Sequence, residues 1–111
     1  MIIRGGLNLI PAVIEEIAGE VAGLRPGGVA AVGVRAAEIE TEIAVLVAET
    51  REAEPGWIAL RRRLDDALKA RGVAIDRIVL VPPGSLPRTT SGKVRRREIA
   101  EALARGEVPG A

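Results

Sequence analysis

The chain has 111 residues and a formal net charge of +1, which suits a single domain and gives no overall electrostatic reason to bind nucleic acid. It contains no Cys and no His, which excludes disulfides, thiolate nucleophiles, Ser-His-Asp triads and the usual zinc sites. Trp57 is the one aromatic residue, so the core must consist of Ile, Val, Leu and Ala. No apolar run has the length of a membrane span and no segment resembles a signal peptide, so we expect a cytoplasmic protein without a membrane partner.

The first part of the chain predicts a hairpin followed by a helix. Apolar pairs flank Gly5-Gly6, a pattern typical of a small hairpin or tight loop. Pro11 stands where the first residue of a helix is favoured, and Pro26-Gly27-Gly28 is expected to end that helix. The apolar face of the helix has three- and four-residue spacing and comprises Ile14, Ile17, Val21 and Leu24.

Two continuous apolar runs in the middle of the chain predict strands. Residues 29–34 and 43–48 are rich in Val, Ile and Ala, and runs without alternation indicate strands that are covered on both faces. The connection around residues 36–40 is short, so the two strands are expected to pair as an antiparallel hairpin.

The second half of the chain predicts a helix, a strand and a final helix. Pro55 opens the first of these helices and Gly72 ends it, with inward leucines at Leu60, Leu64 and Leu68. Candidate ion pairs on its outer face are Arg61/Asp65 and Arg62/Asp66. Residues 77–81 predict a third short strand of the main sheet. The final helix covers about residues 94–105 and ends at Gly106, and its inward residues are Ile99 and Leu103.

This order of elements predicts an α+β domain. We expect a small sheet, with three main strands and an N-terminal hairpin, and helices packed on it. The domain is assigned to residues 1–106, and the tail at residues 107–111 is expected to be flexible.

A hydroxyl-rich loop joins the third strand to the final helix and is the most distinctive segment of the chain. Pro87 fixes the backbone φ at its start, and Gly92 allows a turn that other residues resist. Between them lie three hydroxyl side chains, Thr89, Thr90 and Ser91, of which the last two are candidate caps for the final helix. Lys93 follows, an ammonium on a flexible stem that can reach an anion held by another part of a protein. The loop lacks the first Gly of a Walker A motif.

This loop resembles the last core motif of the adenylate-forming enzymes, which include acyl-CoA synthetases, fatty acyl-AMP ligases, luciferases and the adenylation domains of peptide synthetases. The matching residues are Pro87-x-Thr89-x-Ser91-Gly92-Lys93-x-x-Arg96. The start of the chain resembles the family's hairpin after the hinge, written I-I-x-x-G-x-N-x-x-P-x-x-I-E, which ends here at Ile14-Glu15. Together the two motifs place the resemblance over nearly the whole chain, but only over the small C-terminal domain of the family.

The resemblance implies the fold of the family's C-terminal lid and a parent reaction of two steps. A carboxylate and ATP form an acyl-adenylate and pyrophosphate, and the acyl group then passes to a thiol after the lid rotates about its hinge. ATP and Mg²⁺ would be bound mainly by the large N-terminal domain, which has no counterpart in these residues. We therefore interpret the sequence as an excised domain or a module standing alone, and expect these residues by themselves to form no acyl-adenylate.

The resemblance also implies roles for individual residues. Lys93 would contact the substrate carboxylate and the AMP phosphate and assist adenylation, whereas the residues alone also allow a solvated lysine at a helix start. Six residues would position the loop, namely Pro87, Thr89, Thr90, Ser91, Gly92 and Arg96. The hairpin would line the channel for a pantetheine thiol through Gly5, Gly6 and Asn8, although the chemistry of a tight turn explains the same residues. Leu7 and Val13 depart from the polar and acidic residues that many family members have at these positions.

Within the family the chain is most similar to the fatty acyl-AMP ligases, in residues 2–5, 45–50 and 78–87. The resemblance thus implies a fatty acid substrate and an acyl carrier protein as acceptor. An acyl-CoA synthetase with CoA as acceptor, a peptide-synthetase adenylation domain and a non-catalytic module that binds a carrier protein are the alternatives. Residues 95–97 are basic and are interpreted as a solvated face or a contact for an acidic carrier protein. A nucleic-acid patch is disfavoured because aromatic residues for stacking are almost absent.

Overall fold

A three-stranded mixed sheet lies at the centre of the fold, and helices cover both of its faces. The computed structural model describes residues 1–4, 7–35 and 42–108. In chain order its elements are β1 (Ile2–Arg4), β2 (Leu7–Leu9), α1 (Pro11–Gly19), β3 (Leu24–Arg35), β4 (Glu42–Thr50), α2 (Trp57–Ala70), β5 (Arg77–Val81) and α3 (Arg96–Ala104), with a short 3₁₀ turn at Glu54–Gly56 before α2. Of the helices in these ranges, none is both long and apolar enough to cross a lipid bilayer. The predicted α+β class and order of elements are confirmed.

β4 is the central strand of the main sheet. It pairs antiparallel with β3, as predicted, and parallel with β5, whose bounds are also those predicted. Parallel strands need a crossover connection, which α2 provides between β4 and β5. β1 and β2 form a separate antiparallel pair in which Ile3 lies opposite Asn8. Within the described residues, β5 has a strand neighbour on one side only.

The strands β3 and β4 are buried on both faces because successive side chains of a strand point to opposite sides. Leu46 and its alternate neighbours Ala44 and Ala48 belong to the apolar core that contains the buried residues of α1 and α2. Val45 and Val47 belong to the second core, on the side of α3. The continuous apolar runs in the sequence therefore mark strands covered on both faces, as predicted.

α1 is shorter than predicted and ends at Gly19. Ile14 and Ile17 are buried on its inner face, as expected. The prediction that Val21 and Leu24 continue this face is wrong, because both follow the helix and Leu24 is the first residue of β3.

The chain passes from α1 to β3 through a turn at residues 20–23, in which Gly23 has a φ of +100°. The Thr50 hydroxyl donates to the Gly23 carbonyl at 2.6 Å, so the chain joins the sheet at this point. Residues 26–28 consequently lie within β3 and do not end a helix, contrary to the prediction. The pairing register with β4 shifts between Leu24 and Val29, an irregularity that an edge strand tolerates.

α2 buries one apolar face and ends as predicted. The leucines that are fully buried against the sheet are Leu60, Leu64 and Leu68. Gly72 follows the helix with a φ of +80°. On the outer face Asp65 pairs with Lys69, Oδ2 to Nζ at 2.7 Å, and not with Arg61 as predicted; the predicted pair of Arg62 with Asp66 is also not formed. An acidic residue four positions before a basic one is the more favourable order along a helix.

We expect the isolated 111-residue chain to unfold in one cooperative transition, because its sheet has an apolar core on each face. Trp57 is a natural reporter, since its indole Nε1–H donates to the Glu52 carbonyl at 2.8 Å and its ring packs against the core beneath α1 and α2. Leu46→Ala should lower the free energy of unfolding by about 2–5 kcal/mol. Ile58→Ala, at a 71% exposed position of α2, should change it by less than about 0.5 kcal/mol. A gradual, non-cooperative change of fluorescence in urea would contradict an autonomous fold.

Candidate functional site

The loop of residues 86–95, called here the signature loop, folds back on itself around Thr89. The Thr89 N–H donates to the Lys93 carbonyl at 2.8 Å, and the Thr89 carbonyl accepts the Gly92 N–H at 2.9 Å. Thr89 Oγ1 accepts the Lys93 N–H at 3.2 Å and lies 2.9 Å from Ser91 Oγ. Gly92 has a φ of +87°, a left-handed conformation that glycine adopts without strain. These bonds close the turn from which Lys93 extends.

α3 begins after this turn and not within it. Arg88 and Val94 form an antiparallel bridge across the signature loop. The helix starts at Arg96, two residues later than predicted, and its N-cap residue makes no side-chain capping bond. The prediction of a cap at Thr90 or Ser91 is wrong, because the bridge separates these hydroxyl groups from the helix.

A buried carboxylate on β4 holds the signature loop to the sheet. The Glu49 side chain is 0% exposed, and its Oε2 accepts the Leu86 N–H at 3.1 Å while its Oε1 accepts an Nη2–H of Arg88 at 3.0 Å. Arg88 Nη1 donates to the carbonyls of Gly27 at 3.0 Å and Gly92 at 3.3 Å. Sequence reasoning missed Glu49, although an acidic residue near the end of an otherwise apolar strand is a recognisable signal of a buried ion pair.

An ion pair joins the two motifs on which the family resemblance rests. Arg96 Nε donates to Glu15 Oε2 at 2.8 Å, and Arg96 Nη2 donates to Glu15 Oε1. Glu15 Oε2 also accepts the N–H of Ala31, on β3, at 2.9 Å. The hydrogen bonds to Glu15 raise the pKa of the Arg96 guanidinium above its ordinary value. Arg96 therefore ties the start of α3 to α1 and, through Glu15, to the sheet.

Lys93 lies at the rim of an open groove between α1 and the signature loop. The groove has a volume of about 520 Å³, and its walls include Glu16 and Gly19 of α1 and Gly27 of β3. Lys93 is exposed and lies three residues before α3, so it is not a helix-start lysine. Over residues 1–4, 7–35 and 42–108 no carboxylate forms an ion pair with it. This geometry leaves the ammonium available to an anion from another part of the protein.

Two carboxylates attach the β1–β2 hairpin to the sheet. Glu42 Oε1 accepts the Ile3 N–H at 2.8 Å. Asp76 accepts from Arg4 through both oxygens, each at 2.8 Å, and its Oδ2 also accepts the Ala44 N–H at 2.7 Å. The hydrogen bond from Arg4 is the main reason that the pKa of Asp76 is lowered, and it raises the pKa of Arg4.

The hairpin and the signature loop lie at opposite ends of the main sheet. Glu42 and Glu49, which hold them, are seven residues apart on β4, or about 23 Å at the rise of an extended strand. Asn8 is exposed on β2, and among the described residues no hydrogen bond joins it to Lys93. The other two predicted residues of the thiol channel, Gly5 and Gly6, lie outside the described residues.

The chemistry of the site is that of free cations without a metal centre. In the part of the chain that the structure describes, no group of three or more Asp, Glu, His or Cys side chains is arranged to hold a metal ion. The described residues therefore do not fit a Mg²⁺ site. The exposed cations Lys93 and Arg97 suit a carboxylate or phosphate ligand.

We expect the attachment of the hairpin to be acid-sensitive through Asp76. Its pKa is lower in the folded chain than the ordinary 3.8, so its contribution to stability is present above that value and is lost as the pH falls through the folded pKa. Asp76→Asn should therefore lower the urea midpoint at pH 7, and the difference from the unmodified chain should shrink below about pH 4. Trp57 fluorescence measures both midpoints. Asp66→Asn, an exposed position on α2, is the matched control, and an equal pH dependence in the two variants would contradict the prediction.

Comparison with known proteins identifies relatives in sequence and in structure. A Mycobacterium leprae protein that carries the name fatty-acid–CoA ligase FadD21 is 36% identical over 111 residues, which is 95% of this chain and 19% of that protein. The long-chain-fatty-acid–AMP ligase FadD26 of Mycobacterium marinum is 36% identical over 107 residues, 91% of this chain and 18% of that protein. A solved structure from work on fatty acyl-adenylate ligases of E. coli and L. pneumophila matches with a TM-score of 0.77 and 30% identity, over 95% of this chain and 18% of that one. No protein-family model matches the chain, which spans about a fifth of the length of these relatives.

Proposed function

We propose that this chain, which belongs to the adenylate-forming enzymes and corresponds to their small C-terminal domain, is the lid of a fatty acyl-AMP ligase. The complete enzyme activates a fatty acid with ATP and passes the acyl group to the pantetheine thiol of a carrier protein. The observation that carries the proposal is the exposed Lys93 ammonium on a turn whose sequence matches the family motif. Similarity to the AMP ligase FadD26 supports the choice of substrate class.

The first step brings two anions together. A carboxylate oxygen attacks the α-phosphorus of ATP, an oxygen–phosphorus bond forms, and the bond to the β-phosphate oxygen breaks to release pyrophosphate. Negative charge builds on the phosphoryl oxygens, and the carboxylate is itself charged. The Lys93 ammonium reduces this repulsion, and such fixed charges lower a barrier by about 3–4 kcal/mol. Lys93 transfers no proton in this scheme.

The residues around Lys93 position it. The turn that carries it is set by Pro87, Thr89, Thr90, Ser91 and Gly92, of which Thr89 and Gly92 make the closing backbone bonds. Arg96 fixes the next helix to α1 through Glu15. A charge placed before the substrate arrives need not be reoriented during the reaction, which is why a closed turn suits this task.

The second step is assigned to the other end of the domain. The hairpin end, with Asn8 and with Gly5 and Gly6 as sequence-predicted partners, lines the channel for the thiol. The separation of about 23 Å between the two attachment points of β4 supports separate surfaces for the two steps. A rigid rotation of the domain about a hinge would exchange them at one catalytic centre.

ATP, Mg²⁺ and the acyl chain are assigned mainly to the large N-terminal domain of the complete enzyme. This chain covers 19% and 18% of the two curated relatives, so most of the pocket belongs to the remaining length of such proteins. Exposed Arg95 and Arg97 are the residues of this chain that we assign to an acidic carrier protein.

A second candidate is a lid that works with CoA in place of a carrier protein. The observation in its favour is the name of the FadD21 relative, a fatty-acid–CoA ligase. Both acceptors present the same pantetheine thiol, so the two functions share the roles given to Lys93, the turn and the hairpin and differ in the carrier-protein contact assigned to Arg95 and Arg97.

Replacement of Lys93 should separate the two half-reactions in the longer enzyme. Lys93→Ala removes one charge from the adenylation transition state without disturbing the backbone bonds of the turn, so adenylation should slow by about a hundredfold or more. Transfer from preformed acyl-adenylate to the thiol should stay near the unmodified rate. A bulky substitution at Gly6 should give the reverse pattern. Pyrophosphate release and thioester formation in single turnovers measure the two steps.

Lys69→Ala is the matched control for this experiment, because Lys69 is an exposed lysine on α2 that pairs with Asp65 and does not line the groove of Lys93. It should leave both steps unchanged. Equal losses of both half-reactions in Lys93→Ala would show that Lys93 has a structural role and that the assignment of two separate surfaces is wrong.

The acceptor should be distinguished by offering the longer enzyme equal concentrations of CoA and of a pantetheine-bearing acyl carrier protein. We expect thioester on the carrier protein, and charge reversal at Arg97 to glutamate should weaken that transfer by increasing its KM. If thioester formed on CoA with saturation kinetics and none formed on the carrier protein, the second candidate would be favoured.

A further inference from the structure

We infer that the buried Glu49 carboxylate and the partly buried Arg88 guanidinium form a positioning pair whose task is to hold the peptide group that precedes Lys93. This inference rests on the proposed function and adds residues that the motif itself does not assign. Neither residue has an atom that contacts the reacting groups in our scheme, so both act through the placement of Lys93.

Glu49 occupies a position where an apolar residue would be expected. By alternation it shares the face of β4 with Val45 and Val47, in the core beneath α3, and its side chain is fully buried. Taking a carboxylate out of water is costly, and a buried ion pair often contributes no more stability than apolar residues of similar volume. Net stability therefore does not explain the choice of glutamate, whereas a need to direct Arg88 and Leu86 does.

Arg88 connects the Glu49 carboxylate to the turn that carries Lys93. Its Nη2 binds Glu49, while its Nη1 donates to the carbonyls of Gly27 and Gly92. The Gly92 carbonyl belongs to the peptide group that contains the Lys93 nitrogen. One planar guanidinium thus links β4, β3 and the peptide next to Lys93, a set of bonds that a lysine ammonium with a single nitrogen cannot reproduce in the same fork geometry.

Lys93 needs such support because its own side chain has several rotatable bonds. Its ammonium is useful only where the backbone that bears it is fixed, and a displacement of about 1 Å can reduce a rate by about a hundredfold. Without the Glu49–Arg88 pair, the Lys93 ammonium should keep its charge but should occupy a wider range of positions. We therefore expect adenylation to fall by about tenfold to a hundredfold, less than or equal to the loss in Lys93→Ala.

The test uses the longer enzyme with Glu49→Gln and, separately, Arg88→Lys. Glu49→Gln keeps the shape of the side chain, and Arg88→Lys keeps a cation beside Glu49, so one variant remains informative if the other does not fold. Single-turnover adenylation should slow in both, with transfer from preformed acyl-adenylate near the unmodified rate. In the Lys93→Ala background the same substitutions should cause no further loss of adenylation, because the group that they position is gone.

Asp65→Asn is the matched control, since it removes the carboxylate of an exposed ion pair on α2 and should leave both steps unchanged. Urea midpoints from Trp57 fluorescence establish that each variant is folded. Three results would overturn the inference, namely an unchanged adenylation rate in a folded variant, equal losses in both half-reactions, or a full additional loss in the Lys93→Ala background. The proposed function fails separately, if Lys93→Ala alone leaves adenylation at the unmodified rate.

Discussion

Strand β4 is covered on both faces, by α1 and α2 on one side and by α3 on the other, so its middle must be apolar. Polar side chains are accommodated toward its ends. Glu42 accepts a hydrogen bond from the Ile3 N–H, and Glu49 accepts hydrogen bonds from the Leu86 N–H and from the Arg88 guanidinium. The two irregular parts of the domain, the hairpin and the signature loop, are therefore attached a full strand length apart. One small sheet in this way anchors two irregular segments at different points of the same strand.

Arginine–carboxylate pairs connect segments that are distant in the sequence. Arg4, Arg88 and Arg96 reach partners 72, 39 and 81 positions away. The pairs of Arg4 and Arg96 are partly exposed, so solvent and salt screen them and their contribution to stability is small. The pair with Glu49 differs because the carboxylate is removed from solvent, so salt screens it less and its geometry is better defined. The attachment of the signature loop is thus the firmest of these connections.

Much of the fold could be predicted, because apolar patterns report burial directly, as the bounds of β5 and the inner face of α2 illustrate. Residues 26–28 were predicted to end a helix because Pro and Gly favour turns. They lie in β3 instead, because β3 pairs with β4, and this long-range pairing leaves no local pattern in the sequence. The motif located Lys93, and the position of Glu49 in an apolar strand signals a buried ion pair, but the sequence does not show that its partner is Arg88. Such a partner depends on how the chain folds back, and the roles assigned to Gly5-Gly6 stay predictions.

β5 ends the sheet with an edge that no described strand engages, and such an edge can recruit a strand from another molecule. Three features limit this hazard. The edge is five residues long and starts with the charged Arg77, and Pro82-Pro83 follows at once without an N–H to extend a ladder. At the other edge, on β3, Glu15 Oε2 accepts the N–H of Ala31, so this N–H is not available to a further strand. Because both edges are blunted in this way, the sheet is a poor template for strand pairing with a second copy of this chain.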